Sequence, residues 1–222
     1  MTTNTNTNPT ETNSTETNWD VTYDADPIYI RDPVAEALCV LEPGEPFVVT
    51  YEDVVKAAGH SCPTAAGAFR IAQVGLDTLY DDERPVRSDV EVVAAGPEDD
   101  PTYGVTTRLL SYITGAAGVD GFGGLGGGYG GRKNLLTYDG FDAESADPTF
   151  RLRRTDTGET VEVRYHVGGI PGGGPALGNL QSILEGMATD DERAAFGESW
   201  HRRVQSVLSD DRLFSVRNVT TD

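Results

Sequence analysis

The chain has 222 residues and a formal net charge of −19. That is long enough to bury one substantial core, and acidic enough to exclude nucleic-acid binding, because neutralising a phosphate backbone needs a basic face that is missing here. Lys56 and Lys133 are its two lysines, and every other basic side chain apart from histidine is an arginine. Such a lysine-poor, carboxylate-rich composition fits a protein kept soluble in molar salt, so the acidity reflects the solvent more than a partner.

Met1 to Asn18 is a Thr/Asn-rich stretch with hardly an apolar side chain. A disordered tail is predicted over 1–18, followed by a single domain over 19–208 and a C-terminal tail over 209–222. Pro33 to Leu41 reads as a short helix containing Cys39, and Glu42-Pro43-Gly44 as a turn. Phe47-Val48-Val49 is a short apolar run. Thr50 with Asp53 forms a variant of the capping box and starts a helix that runs to about Ala58.

Pro63 suits the first turn of the next helix, which places Cys62 at or beside its N-cap. Ala65, Phe69, Ala72, Leu76 and Leu79 or Tyr80 form the stripe of a helix with one buried face, while Ala66, Gly67 and Ala68 allow close approach to another backbone. Val86 to Ala95 reads as a strand and Thr102 to Ala117 as a helix. Lys133 to Tyr138, Phe150 to Thr155 and Glu159 to Val167 read as three more strands, the last two joined at Asp156-Thr157-Gly158 by a hairpin. In the last strand Val161, Val163 and Tyr165 share one face, and Glu162, Arg164 and His166 the other. Two helices are expected over 176–208, broken at the Thr189/Glu192 capping box. The second presents Phe196, Trp200, Val204 and Val207 to the sheet, with His201 on the surface.

The chemistry concentrates at Gly59-His60-Ser61-Cys62-Pro63. A helix N-terminus favours anions and lowers a thiol pKa, so Cys62 is a candidate nucleophile or metal ligand with His60 beside it; a buried Cys packing as a small apolar residue is the plain alternative. His166 is a candidate third ligand or general base, or a solvated side chain. The run Gly115 to Gly131 matches neither a phosphate-binding loop with GK[ST] nor a convincing dinucleotide fingerprint. It reads either as a surface loop or as a lid over the His60/Cys62 site, with Gly126 as a substrate contact. Arg132 and Lys133 face an anionic substrate group or neutralise neighbouring carboxylates.

These residues also carry a family resemblance. GHSCPTAAGAF at the head of the long helix, TGAAG at Thr114 to Gly118, RKNLL at Arg132 to Leu136 and RTDTG at Arg154 to Gly158 together resemble the formylmethanofuran dehydrogenase E-subunit family, in a haloarchaeal-type member. The resemblance spans about residues 47–208. It implies an α+β core of order α-β-α-β-β-β with a mixed sheet, C-terminal helices packed on that core, and a metal-binding cleft at the His/Cys turn. Some members carry a cysteine-rich zinc-finger tail; no cysteine follows Cys62 here. The family name refers to a molybdenum or tungsten enzyme of methanogenesis, a pathway that a salt-adapted cell need not possess.

Three functions follow as expectations. The first is a metal-binding protein with His60, Cys62 and His166 as ligands in a glycine-lined cleft, where zinc suits imidazole plus thiolate and iron is also allowed. The second is a metal-free thiol catalyst using Cys62 with a histidine base. The third is an accessory subunit or small-molecule binding module. The expected partners are a small-molecule substrate or an accessory protein, with a homodimer left open and neither nucleic acid nor membrane. With no run of about 18 apolar residues and no apolar signal-peptide region, a cytoplasmic location is expected, where a reducing environment disfavours a Cys39–Cys62 disulfide.

Overall fold

The computed structural model describes Thr17 and residues 19–219; the rest of the segment expected to be a disordered tail lies outside the described residues. In chain order the elements are β1 (Ile28–Ile30), α1 (Pro33–Ala37), β2 (Phe47–Val49), α2 (Tyr51–Ala58), α3 (Pro63–Tyr80), β3 (Val90–Ala94), α4 (Pro101–Thr114), β4 (Leu136–Thr137), β5 (Thr149–Arg154), β6 (Thr160–Tyr165), α5 (Leu180–Leu184), α6 (Asp190–Ser209) and β7 (Phe214–Val219). The fold is α+β, and α3-β3-α4-β4-β5-β6 reproduces the expected core order. A five-stranded sheet runs β4-β3-β5-β6-β7; the β3/β4 pair is parallel and the others antiparallel, so the sheet is mixed. A separate antiparallel pair joins β1 to β2. Among the described residues no helix is long and apolar enough to cross a membrane.

Local signals set the helix ends. Thr50 and Asp53 make both bonds of a capping box at α2, and Gly59 closes that helix at φ 76°, a left-handed conformation that glycine adopts without a Cβ clash. Cys62 is the N-cap of α3 and Pro63 its first residue. Thr189 and Glu192 form the second capping box, at α6.

Helix α3 lies at the centre. Ala65, Phe69, Ala72, Leu76, Leu79 and Tyr80 are buried as the stripe predicts, but so are Ala66, Gly67, Ala68, Ile71 and Gly75. Burial extends round the helix because the sheet covers one side while α2, α4 and α6 cover others. The sheet side carries glycines: a Cβ on Gly67 would stand 2.3 Å from the Tyr165 ring, and one on Gly75 would stand 3.2 Å from Leu152 and Val163. Phe69, Ile71 and Leu76 are at most 1% exposed, each contributing about 1.5–3 kcal/mol of transfer free energy.

Several expectations are corrected. Helix α1 stops at Ala37, and Cys39 lies beyond it at φ 57°, where the N–H groups of Leu38, Cys39 and Val40 turn back onto Val34, Glu36 and Ala35 carbonyls. The strand expected from Val86 begins at Val90, because Asp89 N–H closes a turn onto the Val86 carbonyl. The Lys133 to Tyr138 strand shortens to Leu136–Thr137. Helix α6 packs on α3 rather than on the sheet. The segment after Leu208, expected to be a tail, supplies β7, which pairs with β6 along six residues and forms one edge of the sheet; its short apolar content hid an edge strand. Glu162, on the face of β6 opposite Val161 and Val163, is 3% exposed, covered by ion pairs with Arg151 and Arg217 at 3.0 and 2.7 Å.

Asp32 ties the periphery together. It caps α1 by accepting from Val34 and Ala35 N–H at 3.1 and 3.2 Å. It also takes Arg132 at 2.7 Å and Arg87 at 3.1 Å while only 3% exposed. Burial alone would raise its pKa, but the Ala35 N–H and the Arg132 and Arg87 guanidinium groups outweigh burial and hold the carboxyl below its ordinary value. Removing one member of such a cluster strands buried charge, so Asp32→Ala is expected to lower stability by about 3–5 kcal/mol in urea denaturation. Because the folded pKa is depressed, the contribution from Asp32 is full above the ordinary Asp value of 3.8 and is lost as pH falls below it. Acid titration of Asp32→Asn should therefore show a shallower loss of stability than wild type over that range.

Candidate functional site

The α2–α3 turn is held from three directions. The Tyr51 hydroxyl of α2 lies 2.9 Å from Ser61 Oγ, and Trp200 Nε1 of α6 donates to the Ser61 carbonyl at 2.9 Å. Cys62 Sγ accepts the Ala65 N–H at 3.4 Å, the bond expected of an N-cap side chain. Cys62 is partly buried against the core. Behind it the Tyr165 hydroxyl donates to the Pro63 carbonyl at 3.1 Å.

Next to this turn is a cavity of about 650 Å³, walled by residues of the 17–25 segment, the start of α2, His60, Ser61 and His201. His60 is exposed, with Nδ1 3.1 Å from the Ala58 carbonyl. His201 Nδ1 is hydrogen-bonded to the Tyr23 hydroxyl. Rings step inward from there: Tyr23 meets Tyr51 edge-on at 5.2 Å and Tyr51 meets Phe69 at 5.7 Å, a geometry favoured by the aromatic quadrupole. Burial pushes the Tyr51 phenol well above its ordinary value; the Ser61 hydrogen bond works against this, and the neighbouring Tyr23 and Cys62 add to it. Burial likewise raises Tyr165, with Cys62 reinforcing the shift. Burial lowers His201 from the ordinary imidazole value. At neutral pH the cavity thus presents neutral phenols and a neutral His201 imidazole.

The residues expected to act together are dispersed. His166 stands at the end of β6 with Nδ1 2.9 Å from Asp147 Oδ2 and Nε2 3.1 Å from Ser215 Oγ, so both ring nitrogens are engaged. Cys39 is exposed beyond α1. Among the described residues no group of three or more His, Cys, Asp or Glu is placed to hold a metal ion. A three-ligand set of His60, Cys62 and His166 is therefore not assembled among the described residues. The hydrogen bond that the Cys62 sulfur makes is to the Ala65 N–H, a backbone donor and not a base.

The glycine runs do not line this cavity; Gly172 to Gly174 of the second run line a separate cavity of about 450 Å³ against α6. The first run folds on itself: Arg132 N–H donates to the Phe122 carbonyl at 2.8 Å and Leu135 N–H to Ala117 at 2.9 Å. Gly130, at φ 64°, meets the Val34 side chain. Gly126 and Lys133 are exposed. Arg132 faces Asp32, a carboxylate of the chain itself, which was the alternative to a substrate anion. The second run, after His166, is pinned to α6 where Arg203 Nε donates to the Pro171 carbonyl at 2.9 Å.

Sequence reasoning missed His201, Tyr23 and Tyr51 as members of a site. The one available signal was a histidine directly beside the Trp200 stripe. Its partner Tyr23 is 178 residues away in the chain.

No family model matches the chain, and no curated protein does so. One solved structure to which it is similar is a tungsten formylmethanofuran dehydrogenase E-subunit-like protein from Syntrophus aciditrophicus. The match has 14% identity, covers 79% of this chain and 74% of that one, and has a TM-score of 0.38. A likeness at that distance transfers no residue role.

The fit of Gly67 against Tyr165 generates a prediction. Gly67→Ala drives a methyl into the ring and displaces the Tyr165 hydroxyl from Pro63. A loss of about 1–3 kcal/mol is expected, measured by chemical denaturation, whereas Gly126→Ala, where an added Cβ meets nothing within 4 Å, should stay within about 0.5 kcal/mol of wild type.

Proposed function

We propose that this chain is a small-molecule-binding α+β protein whose site is the cavity beside the His60–Cys62 turn. The observation that carries this reading is the convergence of His60 and His201, from the α2–α3 turn and α6, on one cavity that also holds Trp19, Tyr23, Tyr51 and Ser61. Concave sites with aromatic walls and a few fixed polar groups are the usual form of a ligand pocket. The imidazoles and hydroxyls suit a flat ring bearing a hydrogen-bond acceptor, while the Tyr23 and Tyr51 rings and Val55 supply apolar contact. Arg132 and Lys133 take no part in this reading.

The two tryptophans of the chain, Trp19 and Trp200, lie at the cavity wall and on Ser61, so intrinsic fluorescence reports directly on occupancy. Titration with benzamide in molar KCl is expected to give a saturable emission change. His201→Ala should weaken it at least fivefold and Lys133→Ala leave it unchanged. A change that fails to saturate, or that His201→Ala leaves intact, counts against the cavity. Metal content measured on the same untagged preparation tests the rival: about one zinc or iron per chain, lost in Cys62→Ser, would replace this reading with a metal centre at His60 and Cys62.

A further inference from the structure

Away from that cavity, three adjacent strands bring a nucleophile, a base and a carboxylate side by side. Thr149 of β5 and Ser215 of β7 are both register partners of Arg164 on β6. Asp147 lies two residues before Thr149, and His166 two residues after Arg164. The Ser215 hydroxyl is exposed and 3.1 Å from His166 Nε2, while His166 Nδ1 is 2.9 Å from Asp147 Oδ2. The order of contacts, hydroxyl to one ring nitrogen and carboxylate to the other, is the arrangement in which a histidine takes a serine proton and a carboxylate steadies the imidazolium.

Hydrogen bonds to backbone carbonyls position Asp147 and His166, and the β6/β7 register holds Ser215. Thr149 Oγ1 donates to the Asp147 carbonyl at 2.8 Å, Tyr165 N–H donates to Pro148 at 2.9 Å and His166 N–H to Leu213 at 2.8 Å. A positive residue also stands opposite Ser215 in the strand register. Arg164 is directly opposite Ser215, and side chains of such a pair start about 5 Å apart. Among the described residues its buried Nε has no hydrogen-bond partner, and its Nη2 reaches Glu144 and Glu162 only at 3.4 and 3.9 Å.

We propose that Ser215, His166 and Asp147 form a nucleophilic serine site for small carboxylic esters, with Arg164 stabilising the oxyanion. Ser215 Oγ bonds to the ester carbonyl carbon as its proton passes to His166 Nε2, and the carbonyl electrons move to the oxygen facing Arg164. The carbon–oxygen bond to the alcohol then breaks, and the alcohol leaves with the proton from His166. Water attacks the acyl-serine, gives its proton to His166, and releases the acid as Ser215 regains a proton. The net change is ester plus water to acid plus alcohol, with no further reactant. This site is independent of the cavity reading.

The test is labelling of the full chain with a fluorophosphonate, in which the Ser215 oxygen displaces fluoride from phosphorus, mapped by peptide mass spectrometry, alongside 4-nitrophenyl acetate hydrolysis. Wild type is expected to carry the adduct on Ser215. Labelling should fall at least tenfold in His166→Ala and several-fold in Asp147→Asn and Arg164→Gln, with circular dichroism unchanged, and ester hydrolysis should fall at least tenfold in Ser215→Ala. Labelling of Ser215 no greater than that of Ser145 or Ser209, equal labelling in His166→Ala, or ester hydrolysis unchanged by Ser215→Ala would overturn the proposal.

Discussion

The close approach of α3 to the sheet is the constraint on which the rest of this structure depends. A helix buried on several sides can sit over a sheet only if its sheet-facing residues are short, and Gly67 and Gly75, eight positions apart and so on one face, meet Tyr165, Leu152 and Val163 there. With the sheet occupying that side, Phe69, Ile71 and Leu76 fill the remaining interior. The N-terminus of α3 is thereby fixed, and with it Cys62 and Ser61. The cavity exists because α6 also packs on α3 and carries Trp200 and His201 to the same turn.

Charge has a structural role inside this acidic chain. Asp32, at 3% exposure, meets Arg87 and Arg132, and Glu162, also at 3%, meets Arg151 and Arg217. Buried carboxylates tolerate loss of water only when paired and hydrogen-bonded, and arginine supplies several donors in one planar group. The arginines of an arginine-for-lysine composition therefore serve the fold at these positions. That is why Arg132, conspicuous in sequence as a basic residue closing a glycine run, turns inward to Asp32 instead of toward a ligand.

Signals that act within a few residues were legible. The capping boxes at Thr50 and Thr189, the Cys62-Pro63 start of α3, its apolar stripe, the Asp156-Thr157-Gly158 hairpin and the α-β-α-β-β-β order all rest on spacing or turn chemistry, and all stand in the structure. The β7 strand was not legible, since a short edge strand carries little burial and weak alternation. The burial of Glu162 was not legible, because alternation assigns a face, while the arginines that cover it come from β5 and β7.

The sequence by itself determined the fold class, the main helices and the placement of Cys62 at a helix N-terminus, because those follow from local hydrogen bonding and from periods of 2 and 3.6. Only the tertiary structure decided which histidine meets which partner. His60 shares a cavity with His201 and not with His166, and His166 meets Asp147 and Ser215, 19 and 49 residues away. Such pairings are set by strand order and by helix packing, which no spacing along the chain encodes.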